Sequence, residues 1–265
     1  MIALLKACIF GVVQGLTEFL PVSSSGHLVI AKHYLGVEEA GITMEVLTHA
    51  ATMLAVIIYM RRRIAEILAA VMRVPRRGYA GLDEAARSDA RLFVLLIAAS
   101  VPAAVAGLLL RHHVEGLFSD VTGTARMLII TGAFVYLTGR LGRGERPFNL
   151  PRALVVGLAQ ALAILPGLSR SGLTVGSGLG LGVERRKAFE FALLLSVPVI
   201  LGATLFEFLG GRLEGSGPLL AGAFIAAFVS GYFAISLLFR SVVKNRFYMF
   251  AYYLIPVGII LLIIN

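Results

Sequence analysis

Arg170 stands between Ser169 and Ser171 in the middle of an apolar stretch, just after Pro166 and Gly167. An arginine at membrane depth costs at least about 2.5–3.5 kcal/mol on insertion scales, so it needs a partner or a ligand. A phosphate meets that need. The guanidinium offers a planar fork to two phosphate oxygens, and free backbone N–H groups at a restarting helix add positive potential. Ser169 and Ser171 place hydroxyls beside that fork, and Thr174 falls one turn later on the same face. Two other uses of these residues stay open: Ser169 as a helix cap, and Arg170 paired with an internal carboxylate.

A second polar interruption, Pro21-Val-Ser-Ser-Ser-Gly-His27, supplies Ser23, Ser24, Ser25 and His27. An imidazole near neutrality can take a proton from serine or water, give one to a leaving phosphate, or attack phosphorus itself. Gln14 and Glu18 precede it on one helical face, four residues apart and pointing toward the break. Glu18 could be the partner of Arg170, a base that orients water, or an oxygen ligand for Mg²⁺ or Ca²⁺. The chain has neither the Gly-x-Ser-x-Gly elbow nor the Walker phosphate loop, so soluble hydrolase and NTPase readings find no support.

The two interruptions are related. An ungapped shift of 146 residues lays Gly11 on Gly157, Gln14 on Gln160, Ser23 and Ser25 on Ser169 and Ser171, and Gly26 on Gly172. It also lays Leu35-Gly-Val-Glu38 on Leu181-Gly-Val-Glu184.

The elements that carry these breaks must sit in a membrane. Of the 265 residues 58% are apolar and 15% charged, with a mean hydropathy of +0.88, far from a soluble domain. The net charge of +9 lies between apolar runs rather than along one polar face, which argues for membrane topology and against nucleic acid. The N-terminal segment resembles a signal peptide but lacks a small-residue cleavage site, so it is expected to stay in the protein. Lone Cys8 excludes an intrachain disulfide and a cysteine metal cluster.

Six apolar runs are expected to cross the bilayer, near 42–60, 92–110, 125–140, 188–209, 218–239 and 247–264. Segments 1–35 and 150–183 are split by Pro, Gly and Ser, and read as re-entrant helical hairpins whose breaks face each other inside the bundle. The basic connections 61–91, 140–152 and 240–246 are expected on the cytoplasmic side, with 36–40, 111–124 and 210–217 outside. Both termini then lie outside, and the first hairpin enters from outside, the second from the cytoplasm. The fold class is therefore an all-α integral membrane protein, one domain over 1–265, built as an inverted-topology repeat of about 1–140 and 150–265. The 73–91 stretch reads as a solvated tether. Glu45 and His49 could line the cavity, Glu190 starts the matching span of the second half, and His112 and His113 belong to an outer loop. The pairs Gly172 with Gly176, Gly176 with Gly180 and Gly178 with Gly182 should let the returning arm pack closely.

At these residues the chain resembles the BacA-type undecaprenyl-diphosphatase family of bacitracin-resistance proteins. The family pattern of Glu or Gln, three residues, then Glu is Gln14 and Glu18 here; its serine-rich run ending in Gly-His is Ser23 to His27; its Pro-Gly-x-Ser-Arg-Ser-x-x-Thr signature is Pro166 to Thr174. Gln14 takes the neutral alternative at its position, and Ser25 stands where Thr is common. With glutamine at 14, metal binding would rest on Glu18 and the substrate's own oxygens.

The resemblance implies hydrolysis of undecaprenyl diphosphate to undecaprenyl phosphate and inorganic phosphate, recycling the lipid carrier of cell-wall synthesis. Arg170, Ser169, Ser171 and Thr174 would clamp the diphosphate, with Gln14, Ser23 and Ser25 also lining the site, and Mg²⁺ or Ca²⁺ near Glu18 would offset leaving-group charge. Ser24 or His27 would attack phosphorus or activate water, with Ser24 as nucleophile and His27 as its base as the preferred pairing. The expected partners are a polyprenyl diphosphate lipid, the bilayer and a second copy of the chain, with no nucleic acid. The expected location is the plasma membrane, the site opening to the extracytoplasmic side. The rival is a carrier of lipid phosphates or anions, for which broken helices in inverted repeats are a common architecture; a carrier has no need of a nucleophile beside its binding arginine.

Overall fold

The computed structural model describes residues 2–35, 41–141, 144–209 and 216–265. The expected outer loop 36–40, residues 210–215 of the expected outer loop 210–217, residues 36–38 of the repeat match, and Arg143 lie outside the described residues. Eleven α-helices follow one another with no strand between them among the described residues.

The first arm, α1 (Ile2–Phe19), ends where Pro21 removes a backbone donor and pushes Leu20 out of helical backbone. Ser23 then takes a positive φ of 68°, unusual for a residue with a Cβ. Its Oγ accepts from the Gly26 N–H at 3.2 Å, capping α2 (Ser24–Leu35). The second half repeats the construction. Following α7 (Leu150–Leu162) the chain tightens into i→i+3 turns through Leu165. Gly167 takes φ +90°, and Ser169 caps α8 (Arg170–Gly180) through the Gly172 N–H at 3.1 Å. The residues equated by the sequence shift thus perform the same task.

The remaining helices are α3 (Gly41–Tyr59), α4 (Arg61–Arg77), α5 (Glu84–Glu115), α6 (Val121–Leu141), α9 (Arg185–Leu209), α10 (Gly217–Val243) and α11 (Ala251–Ile264). Among the described residues six helical segments are long and apolar enough to cross a membrane: α1, and stretches of α5, α6, α9, α10 and Phe247–Ile264; α3 and α4 form one more candidate, bent by 76°. Five match expected spans. The first arm of hairpin one differs: the break at Leu20–Ser23 falls late in segment 1–35, leaving α1 with 18 residues, enough to cross. With 12, 13 and 11 residues, α2, α7 and α8 fall short of the ~30 Å hydrocarbon layer. The expected tether at 73–91 is also corrected. Its first residues complete α4, and Asp83 caps α5 by accepting from the Ala86 N–H at 2.8 Å.

Packing exchanges the halves. Hairpin arm α1 lies along α10, and arm α7 lies along α5; α3 packs on α9 and α6 on α11. Glycine makes both hairpin contacts close: a Cβ on Gly11 would run into the Ala223 carbonyl, and one on Gly157 into the Ala99 carbonyl. Of the expected glycine contacts on the returning arm, Gly176 meets Phe134 and Thr138, and Gly178 meets Ala188, while Gly180 has only ordinary contact. Because backbone cannot yield as a flexible side chain does, Gly11→Val and Gly157→Val are each expected to cost about 1–3 kcal/mol of stability. A lowered thermal midpoint in detergent is the readout; an unchanged midpoint in both would mean that the helices part readily.

Candidate active site at two facing helix breaks

The breaks meet in the bundle interior. A Cβ on Gly26 would sit 3.3 Å from the Gly167 Cα, and the Ser171 hydroxyl donates to the Leu20 carbonyl at 3.0 Å. Thr131 on α6 anchors the second break, donating to the Gly167 carbonyl at 3.0 Å and accepting from the Ser169 N–H at 3.2 Å.

Glu18 is the hub. Its side chain is 1% exposed, and its Oε1 takes an ion pair from Arg170, which belongs to the other half. Oε2 accepts from Gln14 Nε2 at 2.9 Å and from the Ser24 hydroxyl at 2.7 Å. His49 on α3 points Nε2 at the same oxygen from 3.6 Å. Since a carbonyl can only accept, His49 Nδ1 carries the hydrogen directed at Glu45 O, 2.8 Å away. A carboxylate buried this deeply requires such partners to remain ionised.

Ser24 is the hydroxyl engaged by a carboxylate, and the expected Ser24–His27 pair does not form. His27 Nδ1 lies 2.8 Å from the Ser23 carbonyl and Nε2 lies 2.7 Å from the Tyr253 hydroxyl on α11, and the two rings stack with centroids 5.7 Å apart. The carbonyl fixes the hydrogen on Nδ1, leaving Nε2 to accept from tyrosine. Helix geometry explains this: once Ser23 caps α2, the His27 ring one turn later folds back on the cap carbonyl rather than toward Ser24.

The serines of the second break are also committed. The Ser171 hydrogen goes to Leu20 O, so Ser169, 3.1 Å away, is the donor to Ser171 Oγ. Thr174 donates back to the Arg170 carbonyl at 2.8 Å. That leaves the rest of the Arg170 guanidinium, with the Arg170 and Ser171 N–H groups that open α8, to meet an anion. Ser23 and Ser25 repeat the Ser169–Ser171 pair with their hydroxyls 3.3 Å apart. Ser171→Ala is expected to cost about 1 kcal/mol of stability and to leave turnover within a few-fold; a large loss of turnover at unchanged stability would make Ser171 a substrate donor instead.

A small cavity opens beside the Glu18–Arg170 pair, with Thr174 and Ser196 on it and Phe189, Leu193 and Leu238 forming an apolar wall. Among the described residues no three His, Cys, Asp or Glu side chains gather as a metal site. Beside Glu18, however, an acceptor is orphaned: fully buried Gln14 turns Nε2 to Glu18 and leaves Oε1 with no partner. Among the described residues the ion pair of Arg170 is with Glu18; Glu190 instead binds Arg63 at 2.5 Å, together with Asp89 at 2.7 Å, tying α4, α5 and α9. The side chain of His112 lies outside the described residues. Thr131 and Tyr253 were invisible as site residues in the sequence, since a threonine or tyrosine on a membrane helix carries no local signal of what it faces.

These features define a class: an all-helical integral membrane protein with an arginine–carboxylate–serine centre where two helix breaks meet. Residues 7–260 match the family model described as bacitracin resistance protein BacA, and the chain belongs to that family. It is 36% identical to an undecaprenyl-diphosphatase of Desulforapulum autotrophicum over 98% of each chain, and 40% identical to one of Syntrophotalea carbinolica over 94% of each. A third, from Korarchaeum cryptofilum, is 36% identical over 97% of each.

Proposed function

We propose that the protein is a membrane phosphatase that hydrolyses undecaprenyl diphosphate to undecaprenyl phosphate and inorganic phosphate, recycling a lipid carrier for cell-wall synthesis. The observation that carries it is the Ser24 hydroxyl donating to the Glu18 carboxylate at 2.7 Å beside the Arg170 guanidinium, a nucleophile, base and anion clamp within one contact shell.

Arg170 and the α8 N-terminus hold the terminal phosphate. Ser24 Oγ attacks its phosphorus while Glu18 takes the hydroxyl proton. The bond to the bridging oxygen breaks, and Glu18 passes the proton to the departing lipid monophosphate. Water then attacks phosphoserine; Glu18 accepts its proton and returns it to Ser24 Oγ as inorganic phosphate leaves. His27, held between Ser23 and Tyr253, fixes the start of α2 and hence the direction of Ser24. Gln14 Oε1 and Glu18 suit Mg²⁺ or Ca²⁺, which commonly binds through few protein oxygens and completes its shell with phosphate. Such an ion would neutralise charge on the diphosphate.

The membrane is taken to be the plasma membrane, with basic connections cytoplasmic, both termini outside, and the site open to the extracytoplasmic side; the Arg-rich 61–77 and 140–152 segments support that orientation. Substrate labelled in its terminal phosphate, mixed with enzyme and quenched within a turnover, should leave acid-stable label on Ser24. Label on His27, or turnover with no labelled protein, would overturn Ser24 as nucleophile.

A further inference from the structure

Helix α4 is unlike the others in its surface. It leaves α3 at a 76° bend, and Arg63, bound by Glu66, Asp89 and Glu190, locks the elbow to α5 and α9. One flank, centred on Ile67 and Ala70, is buried against α5. The 3.6-residue period places Arg62, Arg73 and Arg76 together on a second, exposed flank. None of these three has an ion-pair partner among the described residues. The third flank exposes apolar side chains instead: Leu68 is 47% exposed and Met72 68%. At the elbow, Tyr59, Met60 and Arg61 to Arg63 line an open concavity.

A helix with one buried flank, one basic flank and one exposed apolar flank has two surfaces that need different covers. Water satisfies the arginines but not Leu68 and Met72; hydrocarbon satisfies the reverse. The boundary of a bilayer satisfies both at once, with anionic headgroups beside the guanidinium groups and acyl chains against the apolar flank. We propose that α4 lies in the membrane surface and is a binding site for anionic glycerophospholipid, whose headgroups take Arg62, Arg73 and Arg76 while Leu68 and Met72 rest among the acyl chains. Arg62 lines the elbow concavity, where a headgroup would sit. The site is separate from the Glu18–Arg170 centre and does not depend on its chemistry.

The sequence has no tryptophan, so Met72→Trp gives a single reporter on the apolar flank. The full-length variant is placed in vesicles of zwitterionic lipid containing a small fraction of brominated phosphatidylglycerol or, separately, brominated phosphatidylcholine. Quenching should be several-fold stronger with the anionic lipid and should fall with rising salt as the charges are screened. Arg62→Gln, Arg73→Gln and Arg76→Gln together should bring the two lipids to equal quenching. Equal quenching in Met72→Trp itself would remove headgroup recognition, and absence of quenching by either lipid would place α4 off the bilayer. Both overturn the proposal. The salt dependence, measured on Met72→Trp alone, tests it even where the triple variant does not fold.

Discussion

Arg170→Ala is expected to reduce phosphate release from undecaprenyl diphosphate by two orders of magnitude or more, about the loss seen when one preorganised charge-stabilising donor is removed. Its effect should appear in both binding and turnover, because the guanidinium meets ground-state charge as well as charge that develops on the transferring phosphoryl group. Arg170→Lys should recover little, since an ammonium cannot reproduce the planar fork. The same substitution exposes a structural duty. Glu18 is buried with Arg170 as its cationic partner, and removing one member of such a pair typically costs about 3–5 kcal/mol. Arg170→Ala should therefore lower the thermal midpoint, while the diphosphate headgroup should no longer raise it.

Glu18→Gln should be at least as damaging to turnover, about 100-fold or more, through loss of the base that receives the Ser24 proton. The amide keeps the size of the side chain and its oxygen can still accept from Ser24, but it leaves Arg170 without its counter-charge, so the thermal midpoint should fall as well and turnover is compared on protein that remains folded. A double-mutant cycle separates the roles. If Glu18 and Arg170 act as one pair, Glu18→Gln with Arg170→Ala should be more stable than the sum of the two single losses allows. Turnover of the double variant should be no lower than that of the worse single. Strict additivity in both quantities would mean that the pair is not a functional unit.

Much of this architecture could be read from the chain because its strongest signals are local. Pro21 and Pro166 stand among Gly and Ser residues, a combination that ends a helix where a lone proline such as Pro102 or Pro198 does not, and Ser23 and Ser169 have cap positions that depend on the next three residues. Arg170 in an apolar run announces a buried counter-charge, and Glu18 was among the candidates for it. What could not be read depends on rotations about single side chains. Ser24 and His27 stand three residues apart, a spacing that permits contact, yet the cap carbonyl and a tyrosine 226 residues away hold the imidazole. The hydroxyls of Ser171 and Thr174 looked equally free for phosphate until their carbonyl acceptors were known. Helix α4 was hidden for another reason: its arginines read as a topological signal, which masked the apolar periodicity of Ile64, Ile67, Leu68, Val71 and Met72 between them.

Catalysis rather than transport is the central claim, and a micelle decides between them because it has no second side to which a lipid could be carried. Purified protein in detergent, given undecaprenyl diphosphate with Mg²⁺ or Ca²⁺, should release inorganic phosphate over many turnovers, far in excess of the protein present. Folded protein that binds the lipid yet releases no phosphate would contradict the phosphatase and leave the same Glu18–Arg170 centre as the binding site of a carrier.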